Sequence, residues 1–292
     1  MTADVAGPEV ELVARRRRVR RRTDSATVAM RIWAGLIYLF LYLPILFVVI
    51  YSFNRGRRLT IWQGLGTRWY SSAIDNESIR AALSVSLRVA ALTAIVSVIL
   101  GSMAGIALAR RGGGWTKPFL VLLFMILVTP EIVDGIAFLI WFVRLDLDLP
   151  IARYVIGHSI FSSAVVTLIV RARLSGVDES LEEAAADLGA PPLRAFREIT
   201  LPLMMPAVVA GALLSFTFSL DDVIISNFVS IAGQFTLPNF IFSKLRVGLT
   251  GDLAAISTIM LCLTLLALAV AAFVLRRAGG TAEEVTATLT GG

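Results

Sequence analysis

Long apolar runs separated by short polar segments dominate the chain. Six stretches, near 31 to 53, 83 to 109, 119 to 143, 151 to 170, 203 to 229 and 254 to 275, match the ~20 apolar residues a helix needs to cross a hydrocarbon core of ~30 Å. A membrane barrel would instead show alternating segments of about 10 residues. The pattern predicts an all-α, polytopic membrane protein with six spans. The polar loop 171 to 202, between the fourth and fifth spans, has its own periodicity. Val177, Leu181, Ala184 and Leu188 recur at helical spacing and form one apolar stripe, while Asp178, Glu179, Glu182 and Asp187 fall mostly away from it. Gly189 is placed to close that short helix in the left-handed conformation. Pro191-Pro192 then opens a second short helix carrying Leu193, Phe196 and Ile199. Helices this short do not hold in water by themselves, so their apolar faces need a surface, either another protein or the chain's own membrane helices.

Composition supports a lipid environment: 57% of the 292 residues are hydrophobic, 16% are charged and the mean hydropathy is +0.80. Charge adds an orientation. Seven arginines between Arg15 and Arg22 precede the first span, and the positive-inside rule places them in the cytoplasm. Six spans then put both termini and the 171 to 202 loop on that side, although Arg55, Arg57 and Arg58 sit awkwardly on the other. The chain divides into a basic extension (1–30), a membrane domain (31–277) and a polar tail (278–292). A basic run also suits nucleic acid, but no aromatic residues interleave the arginines and a span begins at once, so lipid is the expected partner and nucleic acid is not. A cleaved signal peptide is not expected either, because the apolar segment is too long and lacks a clear small-residue cleavage site.

Little in the sequence suggests covalent chemistry. Cys262 and His158 are each the sole residue of their type, which leaves no disulfide and no evident metal site. His158 lies near Ser159, Ser162 and Ser163, where packing or interhelical hydrogen bonding is the ordinary role and a functional one the alternative. No serine, cysteine or threonine has a visible partnered base. Gly112-Gly113-Gly114 lacks the lysine and hydroxyl residue of a nucleotide loop, so no enzymatic activity and no bound cofactor are expected of this chain.

Four carboxylates fall inside the spans: Glu131 and Asp134 in the third, Asp221 and Asp222 in the fifth. An acid at a helix centre costs from about 2.5 kcal/mol upward, so each should face a cavity, a cation or a partner. Glu131 and Asp134 share a helix face just after Pro130, which loosens the backbone. With Trp141 further along the same segment, these acids are the candidate lining of a substrate pathway. No lysine or arginine lies deep enough to neutralise them, and a slim solute with separated ammonium groups would supply the missing charge. Protonation, hydrogen bonding or a basic residue on a second subunit would serve equally. A secondary transporter or channel, with the acids relaying protons or selecting cations, is the rival of a different class.

Glu183-Ala184-Ala185, three residues, Gly189, nine residues and Ile199-Thr200-Leu201-Pro202 together resemble the loop signature of ABC importer permeases. From about Arg31 to Arg277 the chain is similar to the spermidine and putrescine branch of that family. The stretches carrying this are Tyr51-Ser52-Phe53-Asn54, Trp62-Gln63-Gly64 through Trp69-Tyr70, Pro130-Glu131-Ile132-Val133, and Leu214-Ser215-Phe216 through Ser219-Leu220-Asp221-Asp222-Val223. The resemblance implies a six-helix type I ABC importer transmembrane domain in the bacterial inner membrane. It implies a sister permease forming a heterodimer, two ATPase subunits that hold ATP and magnesium, and an extracytoplasmic solute-binding protein. It assigns coupling to the ATPase to Glu182, Glu183, Ala184, Ala185, Asp187, Gly189 and Ala190. The outer segments 62–70 and 232–252 become the expected docking surface for the binding protein, with a plain connecting role as the alternative. Polyamines are the implied cargo; opines, other organic cations and small anions remain open within the same family.

Overall fold

The computed structural model describes residues 25–56, 61–245, 248 and 250–277. The arginine cluster between Arg15 and Arg22, Arg57, Arg58, Arg246 and the tail 278–292 lie outside the described residues. The chain forms two units. The described residues of the first, Met1–Tyr51, belong to one helix, α1 (Ser25–Ser52), which carries no charge beyond Arg31 and holds Pro44 in its interior.

The second unit contains α2 (Arg68–Asp75), α3 (Glu77–Arg110), α4 (Thr116–Val128), α5 (Glu131–Arg144), α6 (Pro150–Ser175) and α7 (Ser180–Asp187). It continues with α8 (Pro192–Ala195), α9 (Leu201–Asp221), α10 (Ile224–Val229), α11 (Leu237–Leu245) and α12 (Gly251–Arg277). Among the described residues there are two isolated bridges, Asn54 with Leu65 and Ile231 with Gln234, and no strands. Among the described residues, five helical runs are long and apolar enough to cross a membrane, and the bent pair α4 and α5 makes a sixth if it counts as one span.

Local chemistry sets the helix starts. The Asn76 side chain accepts hydrogen bonds from the backbone N–H groups of Ser78 (3.0 Å) and Ile79 (3.3 Å), capping α3. Pro150 opens α6, where its missing N–H costs nothing. The bundle's centre is the packing of α3, α6 and α9. Lipid supplies no hydrophobic drive between helices, so they associate through close backbone approach. A Cβ on Gly101 would stand 2.6 Å from the Cβ of Val166, and one on Gly105 would stand 2.9 Å from the Cβ of Val170. Val166, Val170, Leu174, Met204 and Ala207 fill the seam between α6 and α9.

Three expectations need correction. The stretch 119–143 is not one continuous helix: α4 and α5 meet at a bend of 100°. Pro130 has no N–H to donate and forces Thr129 out of the helical region, and both residues are extended (ψ of 130° and 129°), which turns the chain. The stretch 203–229 also breaks, at Asp222, whose backbone is extended (φ −65°, ψ 127°) between α9 and α10. The second loop helix, conversely, is not separate. It opens at Pro192 as expected but runs through a π-helical turn at Phe196–Thr200 into α9, making one rod from Pro192 to Asp221.

Candidate functional site

The break after α9 forms one wall of a cavity of about 500 Å³. Glu131 enters it from the first turn of α5, His158 and Ser162 from α6, and Asp221 and Asp222 from the α9 to α10 junction. Pro130 is what delivers Glu131, because the bend redirects the helix that begins there. Gly135, one turn on, seats α5 against α10: a Cβ there would fall 2.5 Å from the Phe228 ring.

The two neighbouring aspartates have different environments. The Asp222 Oδ1 accepts a hydrogen bond from the Ser226 backbone N–H at 2.7 Å and lies 3.2 Å from the His158 Nε2. The other ring nitrogen of His158, Nδ1, lies 2.8 Å from the Ser219 hydroxyl, and the Ser226 hydroxyl is 3.2 Å from Nε2. One buried imidazole thus joins α6, α9 and α10. Asp221 and Glu131 take no hydrogen bond or ion pair from any described residue, and both are exposed to the cavity side. Asp221 also borders a second, mainly apolar cavity of about 320 Å³ with Pro238, Ile241, Phe242 and Met260.

Of the five residues expected to line a pathway, the structure therefore gathers Glu131, Asp221 and Asp222. Asp134 and Trp141 do not line this cavity. Asp134 is partly buried on α5, and Trp141 lies about two turns further along with its ring tilted against Phe142. His158 and Ser219 line the cavity and Ser226 is buried behind His158; none of the three was assigned to the pathway from sequence. A lone histidine beside serines was the available signal, but nothing local showed that it faces an aspartate 64 positions later.

The loop 171–202 holds the second cluster. In α7, Glu183, Ala184, Asp187 and Leu188 are exposed while Ala185 is buried. Gly189 has φ +78°, and the Gly189 and Ala190 N–H groups donate to the carbonyls of Ala186 and Ala185, both at 2.9 Å, closing the helix. The Ser180 backbone N–H donates to the Asp178 carboxylate at 3.0 Å. That bond holds the Asp178 carboxyl below the usual carboxylate range, so its contribution is complete at neutral pH and is lost only as pH falls through the lowered value.

On α7 the apolar stripe is the exposed side. Leu181, Leu188 and Leu193 are 48%, 89% and 70% exposed, whereas Glu182 turns inward. Its Oε1 accepts from Arg110 Nε (3.2 Å) and Nη2 (3.1 Å) and from the Thr200 hydroxyl (2.9 Å). Arg110, the last residue of α3, also donates through Nη1 to the carbonyls of Val177 (3.1 Å) and Leu174 (3.3 Å). A fixed, always-charged fork is suited to such multiple acceptance. Glu182 is thus tied to the bundle, and the apolar stripe is what remains uncovered.

This architecture can be compared with known proteins. Residues 97–279 match the model of the binding-protein-dependent transport system inner membrane component. The chain belongs to this family. The permease is 39% identical over 231 residues to the putrescine transport system permease protein PotI of Escherichia coli (strain K12), covering 77% of this chain and 82% of that one. It is 40% identical over 233 residues to the spermidine/putrescine transport system permease protein PotC of the same strain, covering 78% and 87%. Its fold is shared with a bacterial ABC transporter involved in import of the acidic polysaccharide alginate (TM-score 0.67, 14% identity, 88% of this chain and 96% of that one). The permease is therefore an inner-membrane ABC importer subunit with an all-α transmembrane fold.

Proposed function

We propose that this permease imports polyamines such as putrescine and spermidine by alternating access, driven by ATP hydrolysis on partner subunits. The relatives PotI and PotC are named for these solutes, and the cavity presents two unpaired carboxylates to match separated ammonium groups. A low-dielectric cavity strengthens such pairing. The working unit is this chain with a sister permease, two ATPase subunits and an extracytoplasmic solute-binding protein. The sister closes the open side of the cavity.

The observation that carries the reading is the continuous rod from Pro192 to Asp221. At 30 residues and ~1.5 Å per residue it runs ~45 Å from the exposed loop to the acid-lined cavity. On the cytoplasmic side, α7 offers Glu183, Ala184, Asp187 and Leu188 to a groove of the ATPase, with Gly189 setting the turn and Ala185 anchoring the inner face. Glu182 positions the helix through Arg110 rather than touching the partner. Motion of the ATPase then moves α9 as a lever, and Asp221 with it. On the outer face, Trp69 donates its indole N–H to the Asn54 carbonyl at 2.8 Å, and the Asn54 side chain holds the loop to Gln63. This braced loop and the cavity of about 480 Å³ lined by Phe235, Phe240 and Lys244 serve as the receiving face for the binding protein.

The test is the double substitution Leu188→Asp with Leu193→Asp in the assembled transporter. Loss of co-purifying ATPase, with the permease still inserted and folded, is expected. Uptake and ATPase recovery at wild-type levels would refute the docking assignment.

A further inference from the structure

The contacts of His158 bear on how many charges the cavity accepts, and the inference rests on the transport reading above. His158 is the chain's only histidine, is 4% exposed and spends both ring nitrogens on neighbours: Ser219 on one side, Asp222 and Ser226 on the other. The Asp222 Oδ1 meets two groups, the Ser226 N–H and the imidazole, and its side chain is 11% exposed. This arrangement is complete with a singly protonated ring. If Nε2 carries the proton it donates to Asp222, and Nδ1 accepts from the Ser219 hydroxyl.

Both bonds fall on Oδ1, and two buried donors already stabilise the charge, so a passing ammonium group gains less at Asp222 than at a carboxylate with no donor. Asp221 and Glu131 have no such partners and remain available. The three acids around one cavity are therefore not equivalent. We propose that His158 is a specificity-determining positioning residue: by holding Asp222 against α6 and α10 it limits to two the carboxylates this chain presents to a polyamine. The sister subunit adds its own groups, so the inference concerns the change produced on this side of the cavity.

The experiment uses the complete transporter with its binding protein, reconstituted in proteoliposomes, and measures uptake of putrescine, a diamine, and spermidine, a triamine. The readout is the ratio of kcat/KM for spermidine to that for putrescine. His158→Leu releases Asp222, and the ratio should rise on the order of tenfold, the effect of one added charge-assisted contact. His158→Gln retains an N–H donor for Asp222 and should stay near the wild-type ratio. Asp222→Asn keeps the oxygen that accepts from Ser226 and His158, and should leave the ratio unchanged whatever it does to turnover. The double variant His158→Leu with Asp222→Asn should return to the wild-type ratio, since the released acid is gone.

A ratio that does not move in His158→Leu, or that falls in Asp222→Asn alone, overturns the proposal. Should His158→Leu fail to reach the membrane, Asp222→Asn decides by itself. A wild-type transporter that carries neither amine brings down the functional reading and the inference with it. One that carries both while the variants misbehave brings down the inference alone.

Discussion

Arg110 and Glu182 show how single residues fix the loop 171–202. From sequence, Glu182 lies mostly away from the apolar stripe, and the family resemblance places it among the residues that couple to the ATPase. In the fold its carboxylate collects a guanidinium and the Thr200 hydroxyl, and the same guanidinium takes up two carbonyls at the end of α6. Arg110 is 11% exposed and Glu182 30%, so screening by solvent is incomplete and the pair is more than a surface ion pair. Arg110→Ala should lower stability by about 2 kcal/mol, the scale of hydrogen bonds to a charged group. Thermal unfolding of the assembled transporter in detergent checks this, with Gly112→Ala as the control because a Cβ there meets nothing within 4 Å. An Arg110→Ala transporter as stable as the control would show that the loop is held by other contacts.

At the scale of elements, two helix breaks build the cavity. Pro130 bends α4 away from α5 and so aims Glu131 at the break where Asp222 stands. Pro130→Ala restores the missing N–H and relieves the constraint on Thr129. The bend should open toward a straight helix, Glu131 should leave the cavity, and uptake should fall severalfold with insertion intact. Spin labels placed on α4 and α5 report the angle through their separation; an unchanged distance would mean that packing of Gly135 against Phe228, not the proline, holds the bend. The close seam between α3 and α6 is the rigid reference against which these broken helices sit.

For the whole molecule, the proposed mechanism requires the rod from Pro192 to Asp221 to stay continuous through its π-helical turn. Inserting three glycines between Phe196 and Thr200 would replace a stiff connection with a flexible one. ATP hydrolysis stimulated by the loaded binding protein should persist, while polyamine uptake should be lost. Uptake preserved at a wild-type ratio to hydrolysis would show that force reaches the cavity by another path.

Much of this was already legible along the chain. Apolar runs long enough for a bilayer, an amphipathic stripe from Val177 to Leu188, a glycine at the end of α7 and a proline pair after it are local patterns, and local patterns follow from backbone geometry and solvent alone. So are four acids in lipid, which announce a cavity somewhere. Tertiary structure alone decided which acids share that cavity and which one already has two buried donors. Ser226 meets His158 across 68 positions, and Arg110 meets Glu182 across 72. Contacts at that separation arise only once helices are packed, and periodicity carries no record of them. For the same reason the sequence left open which surface the stripe of α7 meets: the fold ties Glu182 to Arg110 and leaves Leu181 and Leu188 exposed.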